Sequence, residues 1–371
     1  MKNGLTKDDS QAIKGIAILL LLFHHLFYST GIFTSFDISF APLTTQQVVN
    51  LAQMGKMCVS IFAFITGYGL LKSISRVEFS SKNISKWNIT RLFKTMSGYW
   101  FIFILSTVIT QIIDGRTKEI YFKDGISIPH GIINMINSFL GISKIVGTPN
   151  MLGTWWYMSA AIVFILSVPL IFKLSQKIGY FAVIILFAFA PRLLNIGFPG
   201  DTNPISFLLP VIFGMVFAQY DLFEKLQETM NRKKFLTYPA MLVCLAATML
   251  LCYKYYVALS PEKAWEIDYG VIPIIFIIFF RLFIIRIPVI KQVLSFLGKY
   301  SMTMFLVHGF LRSVYLTDFI YGQKHFLLSF LALTVTSLAL SIVLDAIKKL
   351  VRFDKLTDLI ARSINKEIDK L

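Results

Sequence analysis

The sequence predicts an all-α integral membrane protein with about ten transmembrane helices in one bundle. First, 56% of its 371 residues are hydrophobic, 15% are charged, and the mean hydropathy is +0.69. A soluble domain cannot bury that much apolar surface. Second, apolar runs long enough to span a bilayer are separated by charged or Pro/Gly-rich breaks. Third, basic residues concentrate in alternate loops, which is typical of multi-pass membrane proteins.

The apolar runs give the predicted spans, with boundaries good to about three residues. They are residues 12–34, 48–71, 92–113, 151–172, 179–196, 204–220, 236–257, 270–286, 294–316 and 326–347. The loop after the second span is rich in Lys and Arg, whereas residues 35–47 contain neither. The positive-inside rule therefore places both termini in the cytoplasm, which requires an even number of spans. The longest loop, 114–150, is expected outside, where it could shape an acceptor site.

The chain divides into a transmembrane domain, residues 1–347, and a basic tail, residues 348–371. Apolar and charged residues alternate at helical spacing in the tail, which predicts a cytoplasmic interfacial helix on an anionic surface. The cysteines Cys58, Cys244 and Cys252 all lie in apolar runs. Their spacing indicates neither a disulfide framework nor a metal site. No cleavable signal peptide is expected, because the first apolar run is too long.

Lys14 and His25 stand out in the first span. They are eleven positions apart, so at about 100° per residue they share one helix face. Their separation along the axis is roughly 16 Å. We expect Lys14 at the cytoplasmic surface and His25 near the middle of the membrane. An ionisable residue at that depth is a functional hypothesis by default, and the alternative is a buried histidine hydrogen-bonded to a neighbouring helix.

The ninth span repeats this arrangement. His308 lies well inside it, and Lys299 precedes His308 near the expected cytoplasmic end. Ser301 lies between them. Two histidines within the membrane favour one shared site over two independent structural roles.

Three other features have both a structural and a functional interpretation. Arg91 and Lys94 share a helix face at the start of the third span, where they could bind phosphate or only enforce topology. Trp155 and Trp156 begin the fourth span, as part of an interfacial belt or as a stacking surface for a sugar ring. The glycines at 67 and 69 indicate close helix packing.

Two classes of function fit these residues. One is an enzyme that uses a buried histidine on a phosphate-bearing cytoplasmic donor. The other is a transporter or flippase of a glycan or lipid-linked sugar with a histidine proton relay. Relays commonly pair His with Asp or Glu, but the predicted spans are nearly free of acids and Asp345 is the closest case. This scarcity favours the enzyme.

The spacing of Lys14 and His25 resembles the basic-x10-His motif of the integral-membrane acyltransferase family 3. Other resemblances follow in family order along nearly the whole chain. They are the second-helix pattern at 59–68, the Arg-x-x-Arg motif at 91–94, the Trp-Phe-Leu element at 156–158, a Gly-containing stretch at 213–215 and the late Gly-Lys-x-Ser…Tyr-Leu-x-His motif at 297–308. The chain departs from the family at Ser159, near which many members have an acid. Lys in place of Arg keeps the charge but loses bidentate phosphate binding.

The resemblance implies transfer of an acyl group, most often acetyl, from cytoplasmic acyl-CoA to a hydroxyl of a cell-surface or lipid-linked polysaccharide at a bacterial cell membrane. A succinyl donor is the alternative within the family. His25 is expected to act as base or acyl carrier. The expected roles of the others are phosphate binding by Lys14, Arg91 and Lys94, orientation of the site by His308 and Ser301, and contact with the sugar by Trp155 and Trp156. We expect membrane lipids as the surroundings, no metal and no nucleic acid.

Overall fold

The computed structural model describes residues 4–193, 202–258 and 265–370. In this part of the chain all regular secondary-structure elements are helices. Ser39 forms an isolated β-bridge with His325. The α-helices are α1 (Lys7–Phe27), α2 (Thr45–Met54), α3 (Cys58–Ile74), α4 (Ser81–Ile113), α5 (Arg116–Tyr121), α6 (Ile128–Leu140), α7 (Ser143–Val146), α8 (Trp156–Leu193), α9 (Leu208–Gln219), α10 (Leu222–Arg232), α11 (Thr237–Cys252), α12 (Ile272–Phe279), α13 (Pro288–Phe310), α14 (Thr317–Tyr321), α15 (Phe326–Leu350) and α16 (Phe353–Lys370).

Seven helical segments of the described chain are long and apolar enough to cross a membrane. They are Lys7–Phe27, Thr45–Ile74, Ser81–Ile113, Gly153–Ala190, Lys234–Ala258, Glu266–Ile284 and Phe326–Leu350. The pair formed by α9 and α10, bent by 60°, makes an eighth if it counts as one span. These helices confirm the all-α membrane class.

The predicted number of ten spans stays a prediction, and three regions account for the difference. The fourth and fifth predicted spans lie in α8, which changes direction at Gly179, where φ is 79° and ψ is 155°. Residues 194–196 of the fifth span lie outside the described residues. The sixth predicted span belongs to the bent pair, and the ninth corresponds to α13, which is not among the seven.

The first helix begins and ends earlier than its apolar run. Thr6 caps it: the Thr6 hydroxyl accepts from the Asp9 amide at 3.1 Å, and the Asp9 carboxylate accepts from the Thr6 amide at 3.1 Å. This capping box starts α1 at Lys7, before the apolar residues begin. Because α1 ends at Phe27, His25 lies in its last turn. The depth of His25 in the membrane stays a prediction.

Glycines allow two pairs of helices to cross backbone to backbone. A Cβ atom on Gly15 of α1 would lie 2.0 Å from the Leu294 carbonyl oxygen of α13, and one on Gly298 would lie 1.8 Å from the Gln11 oxygen. Any side chain there would force the helices apart.

The crossing of α3 with α9 is built in the same way. A Cβ on Gly67 would lie 2.1 Å from the Val211 oxygen, and one on Gly214 would lie 2.0 Å from the Phe64 oxygen. The packing interpretation is confirmed for Gly67. It was wrong for Gly69, where nothing lies within 4 Å of an added Cβ.

We call the end of the bundle that contains the starts of α1 and α4 the inner end, and the opposite end the outer end. At the inner end, the buried Asp9 carboxylate of α1 pairs with Arg281 at 3.3 Å and with Lys291 of α13 at 2.6 Å. The C-terminal helix α16 packs along the inner part of α4, where Asp369 pairs with Lys86 at 2.7 Å. Both described termini therefore lie at the inner end. Its cytoplasmic assignment stays a prediction, as does an interfacial role for α16.

Candidate active site

A cavity of about 740 Å³ lies among α1, α3, α4, α8 and α13. Lys14 and Lys94 line it toward the inner end of the bundle, and Tyr28, Gln53 and Lys56 line it toward the outer end. Its volume is within the range of cavities that enclose a small organic ligand. His25 lines the wall between these two groups of residues.

The end of α1 holds His25 through backbone contacts. Arg312 donates from Nη1 to the His25 carbonyl oxygen at 2.7 Å, and the Tyr321 hydroxyl donates to the Leu26 carbonyl oxygen at 3.3 Å. Carbonyls in the last turn of a helix have no partner within the helix, so these two side chains satisfy them. The position of the His25 backbone is thereby tied to the segment that follows α13.

His308 lies behind His25 and is fully buried. Its ring stacks on the His25 ring, with 5.0 Å between the centroids and 29° between the planes. His308 Nδ1 lies 2.6 Å from the Phe305 carbonyl oxygen, which can only accept, so we assign the proton to Nδ1. The neutral ring then carries a lone pair on Nε2, which has no hydrogen-bond partner among the described residues.

The crossing of α1 with α13 at Gly15 and Gly298 sets the register of the two histidines. His25 follows Gly15 by ten residues (25 − 15), and His308 follows Gly298 by ten residues (308 − 298). Ten helical residues rise about 15 Å, so both rings reach the same height above the crossing. The stacked pair is thus a consequence of where the two glycines stand in the sequence.

Lys14 lines the inner part of the cavity with a half-buried side chain. It makes no hydrogen bond or ion pair with any residue that the structure describes, whereas an ammonium in an apolar protein interior normally has a partner. Ser301 lines the cavity as well, and its hydroxyl donates to the Gly298 carbonyl oxygen at 2.9 Å. The inner part of the cavity therefore offers an unpaired positive charge to a ligand.

Arg91 does not line this cavity. It lines a second cavity of about 410 Å³, where it hydrogen-bonds to the Ser73 hydroxyl and lies 5.8 Å from the centre of the Trp87 ring. Lys94 lines both cavities. The structure thus brings Lys14 and Lys94 to the cavity of His25, and Arg91 to an adjoining one.

The two tryptophans have different environments. Trp156 lines the main cavity. The Trp155 side chain is only 1% exposed, and its Nε1 donates to the Leu306 carbonyl oxygen at 3.0 Å. Because its ring packs against Tyr99 and Phe310, a sugar cannot reach it in this structure. Of the two tryptophans, Trp156 is therefore the one that can offer a stacking surface to a sugar.

His24 faces a different neighbour from His25. Its Nδ1 lies 2.8 Å from the Ala52 carbonyl oxygen, and its ring stacks on Tyr28 at 4.9 Å. The contact with Ala52 joins the end of α1 to α2, whereas the contact with Tyr28 lies within the end of α1. No residue of the loop 114–150 lines either of the two cavities described, so the outer wall of the main cavity is made by other segments.

Two residues near the site were missed in the sequence. Arg312 was given no role, although it follows His308 by four positions and therefore shares its helix face. Asp268 was placed outside the spans, but it lies in the segment Glu266–Ile284 and is fully buried. The Tyr256 hydroxyl, which lines the main cavity, donates to the Asp268 carbonyl oxygen.

The family model of acyltransferase family 3, described as an acyltransferase domain, matches residues 8–346. No curated protein and no solved structure matches the chain. The matched range contains both histidines, the two glycine crossings and all three predicted phosphate-binding residues, and it ends before α16. The match confirms the family resemblance found in the motifs. The chain belongs to acyltransferase family 3 and is a multi-pass membrane acyltransferase.

Proposed function

We propose that this acyltransferase moves an acyl group, in the first instance acetyl, from cytoplasmic acyl-CoA to a hydroxyl of a cell-surface or lipid-linked polysaccharide in a bacterial cell membrane. One observation carries the proposal: a single cavity has an unpaired lysine, Lys14, toward one end and the stacked imidazole of His25 farther along it. A donor with phosphates and a long arm fits that arrangement.

The donor occupies the inner part of the cavity. Its phosphates pair with Lys14 and Lys94, since ammonium groups bind phosphate oxygens through charge-assisted hydrogen bonds. The pantetheine arm then follows the apolar wall formed by residues such as Val59 and Phe305. Lys14 and His25 are roughly 16 Å apart along α1, so the arm delivers the thioester to His25.

His25 acts on the acceptor hydroxyl as a general base. It removes the hydroxyl proton while the oxygen attacks the thioester carbonyl. The new C–O bond forms, the C–S bond breaks, and the imidazolium returns the proton to the leaving thiolate, which gives CoA and the acylated glycan. In the second route, His25 itself attacks the thioester, the C–S bond breaks and CoA leaves as the thiolate. The acceptor hydroxyl then attacks the acyl-imidazole, the C–N bond breaks to free His25, and the hydroxyl proton passes to the thiolate.

The acceptor occupies the outer part of the cavity. Tyr28, Gln53 and Lys56 supply hydroxyl, amide and ammonium groups there, which are suited to sugar hydroxyls. Trp156 adds an indole face on which a sugar ring can stack.

Mass spectrometry of cell-surface glycans, with and without this gene, tests the proposal. We expect one glycan to lose the mass of one acyl group when the gene is deleted, and the mass itself distinguishes acetyl from succinyl. The wild-type gene should restore the acyl group, whereas a His25→Ala variant present in the membrane at the same level should not. Unchanged glycan masses, with transport of the unmodified glycan by the purified protein, would instead support a flippase.

A further inference from the structure

The second cavity, of about 410 Å³, lies at the inner end beside the main one. Its walls come from the end of α3, the first half of α4 and the C-terminal helix α16. Asn365 of α16 lines it, and α16 begins seven residues after the family match ends (353 − 346). One wall is therefore built by a part of the chain that lies outside the family match.

The chemistry of this cavity suits a phosphorylated nucleoside. Lys86, Arg91 and Lys94 line it with three positive charges on one helix. Asn83 and Asn365 add side-chain amides, whose donor and acceptor groups match the polar edge of a base. Cations pair with phosphates, and amides can hydrogen-bond to a purine.

The two cavities meet at one residue. Lys94 lines both, so a ligand whose phosphates lie at Lys94 can extend one end into each. Acyl-CoA has this shape, since a pantetheine arm and a nucleotide are joined through a diphosphate. The arm then lies toward His25, and the nucleotide lies beside Arg91.

One of the three cations already has an anionic partner. Lys86 Nζ lies 2.7 Å from the Asp369 carboxylate of α16, and both side chains are partly exposed to solvent. A phosphate that reaches Lys86 must replace this carboxylate. The helix itself has other attachments to α4, because Ser97 donates to Asp354 at 2.7 Å and Asn365 donates to the Thr90 hydroxyl at 3.1 Å. It therefore stays in place as a wall when Asp369 is displaced.

We propose that the second cavity binds the 3′-phosphoadenosine part of acyl-CoA, with α16 as one wall and Asp369 as the carboxylate that the nucleotide phosphate displaces from Lys86. This inference rests on the proposed acyl-CoA donor and deepens it. It predicts that neutralising Lys86 weakens CoA binding, whereas neutralising its partner Asp369 strengthens CoA binding.

Calorimetric titration of CoA into the full-length protein in detergent tests the proposal. Lys86→Gln should raise the Kd of CoA about fivefold, because a phosphate contact is lost. Asp369→Asn should lower the Kd about threefold, because Lys86 no longer has a competing carboxylate. Glu367→Gln is the matched control, since Glu367 lies on the same helix and pairs with Lys370 at 2.7 Å instead. It should leave the Kd unchanged.

A second ligand shows which part of CoA is responsible for these changes in Kd. Adenosine 3′,5′-bisphosphate, which carries the nucleotide without the arm, should compete with CoA and show the same two shifts. If CoA binds the wild type but all three variants keep its Kd, the nucleotide site is elsewhere and only this inference fails. If the wild type does not bind CoA at all, the proposed donor fails, and this inference fails with it.

Discussion

His308 supports the His25 ring from the side opposite to the cavity, at 5.0 Å between ring centroids. The supporting ring is itself fixed, because its Nδ1 donates to the Phe305 carbonyl oxygen and its whole side chain is buried. His25 lines the cavity, whereas His308 is not among its lining residues. The reactive position and its support thus belong to two helices that are adjacent in space but far apart in the sequence.

Removal of the supporting ring should reduce catalysis without weakening donor binding. We expect His308→Ala to lower kcat for acyl transfer about 100-fold while the KM for acyl-CoA stays the same, because the charges that bind the donor are untouched. His308→Phe keeps a ring that can stack on His25, and we expect it to retain more of kcat than His308→Ala.

The control for this pair is His24→Gln, since a glutamine amide can still donate to the Ala52 carbonyl oxygen. It should keep kcat within about threefold. A kcat in His308→Phe as low as in His308→Ala would show that stacking on His25 does not explain the role of His308.

The crossing of α1 with α13 should tolerate no added methyl group at Gly298. In Gly298→Ala, the new Cβ would lie 1.8 Å from a backbone oxygen, so α1 and α13 must separate. An alanine gains about 1 kcal/mol in helix propensity, but overpacking against rigid backbone costs about 1–3 kcal/mol. We expect a lower Tm and loss of transfer activity, since the two histidine rings no longer meet. Thermal unfolding and single-turnover transfer measure the two effects.

Gly69→Ala provides the matched comparison. It lies in a helix as well, but nothing is within 4 Å of its added Cβ. Its Tm should stay the same or rise slightly. Equal loss of Tm in both variants would mean that the close approach of α1 and α13 does not limit stability.

Local periodicity was sufficient for part of this site. The eleven-residue spacing predicted that Lys14 and His25 share a helix face, and both line the main cavity. It did not predict the start of α1, which the capping residue Thr6 places at Lys7, or its end at Phe27. It could not tell whether the Trp155 indole faces a cavity or the core, because that depends on neighbours from other helices, here Leu306.

Contacts between distant segments could not be read from the sequence. The second cavity exists because α16 lies against α4, and no periodic pattern pairs Asn365 with Thr90. The contact of Arg312 with His25 likewise depends on the crossing of α1 with α13. The helical class, by contrast, needed only composition and run length, and it was confirmed.

Lys14 and Lys56, at opposite ends of the main cavity, should affect different substrates. We expect Lys14→Gln to raise the KM for acyl-CoA about tenfold, because a partly buried ammonium–phosphate contact is lost. Lys56→Gln removes the same charge toward the outer end of the cavity and should leave the KM for acyl-CoA unchanged. Initial-rate kinetics with purified protein measure both constants. A donor KM that rises equally in both variants would contradict separate donor and acceptor ends.

The docking of α16 should depend on the charge of Asp354. Burial alone would raise the pKa of Asp354, but hydrogen bonds from Lys348 and Ser97 hold it below the ordinary value of 3.8. A depressed pKa in the folded state stabilises docking above pH 3.8, and that contribution is lost as the pH falls through the folded-state pKa. Hydrogen exchange of residues 353–370, corrected for intrinsic rates, should therefore show equal protection at pH 7 and pH 5.

The protonated state of Asp354 can be imitated at neutral pH. Asp354→Asn should increase exchange throughout α16 at pH 7, whereas Asp358→Asn should not, since Asp358 has no ion pair within the described residues. Unchanged exchange in Asp354→Asn would mean that the other contacts of α16 with α4 are sufficient for docking.

Arg312 should act through the position of His25. Its guanidinium donates to the His25 carbonyl oxygen at 2.7 Å, so Arg312→Ala leaves that carbonyl at the end of α1 without this partner. An unsatisfied buried group costs about 1–3 kcal/mol, and the helix end can avoid this cost by moving. We expect kcat to fall about tenfold with an unchanged KM for acyl-CoA, because a displaced imidazole affects the transition state and not the phosphates.

Two comparisons separate this role from general destabilisation. Arg312→Lys keeps a cationic donor and should recover part of kcat. Tyr321→Phe removes the longer bond to the neighbouring Leu26 carbonyl, at 3.3 Å, and should cost less than Arg312→Ala. If Arg312→Ala instead raised the donor KM and left kcat intact, Arg312 would act on the donor directly, and the hydrogen bond to His25 would not explain its effect.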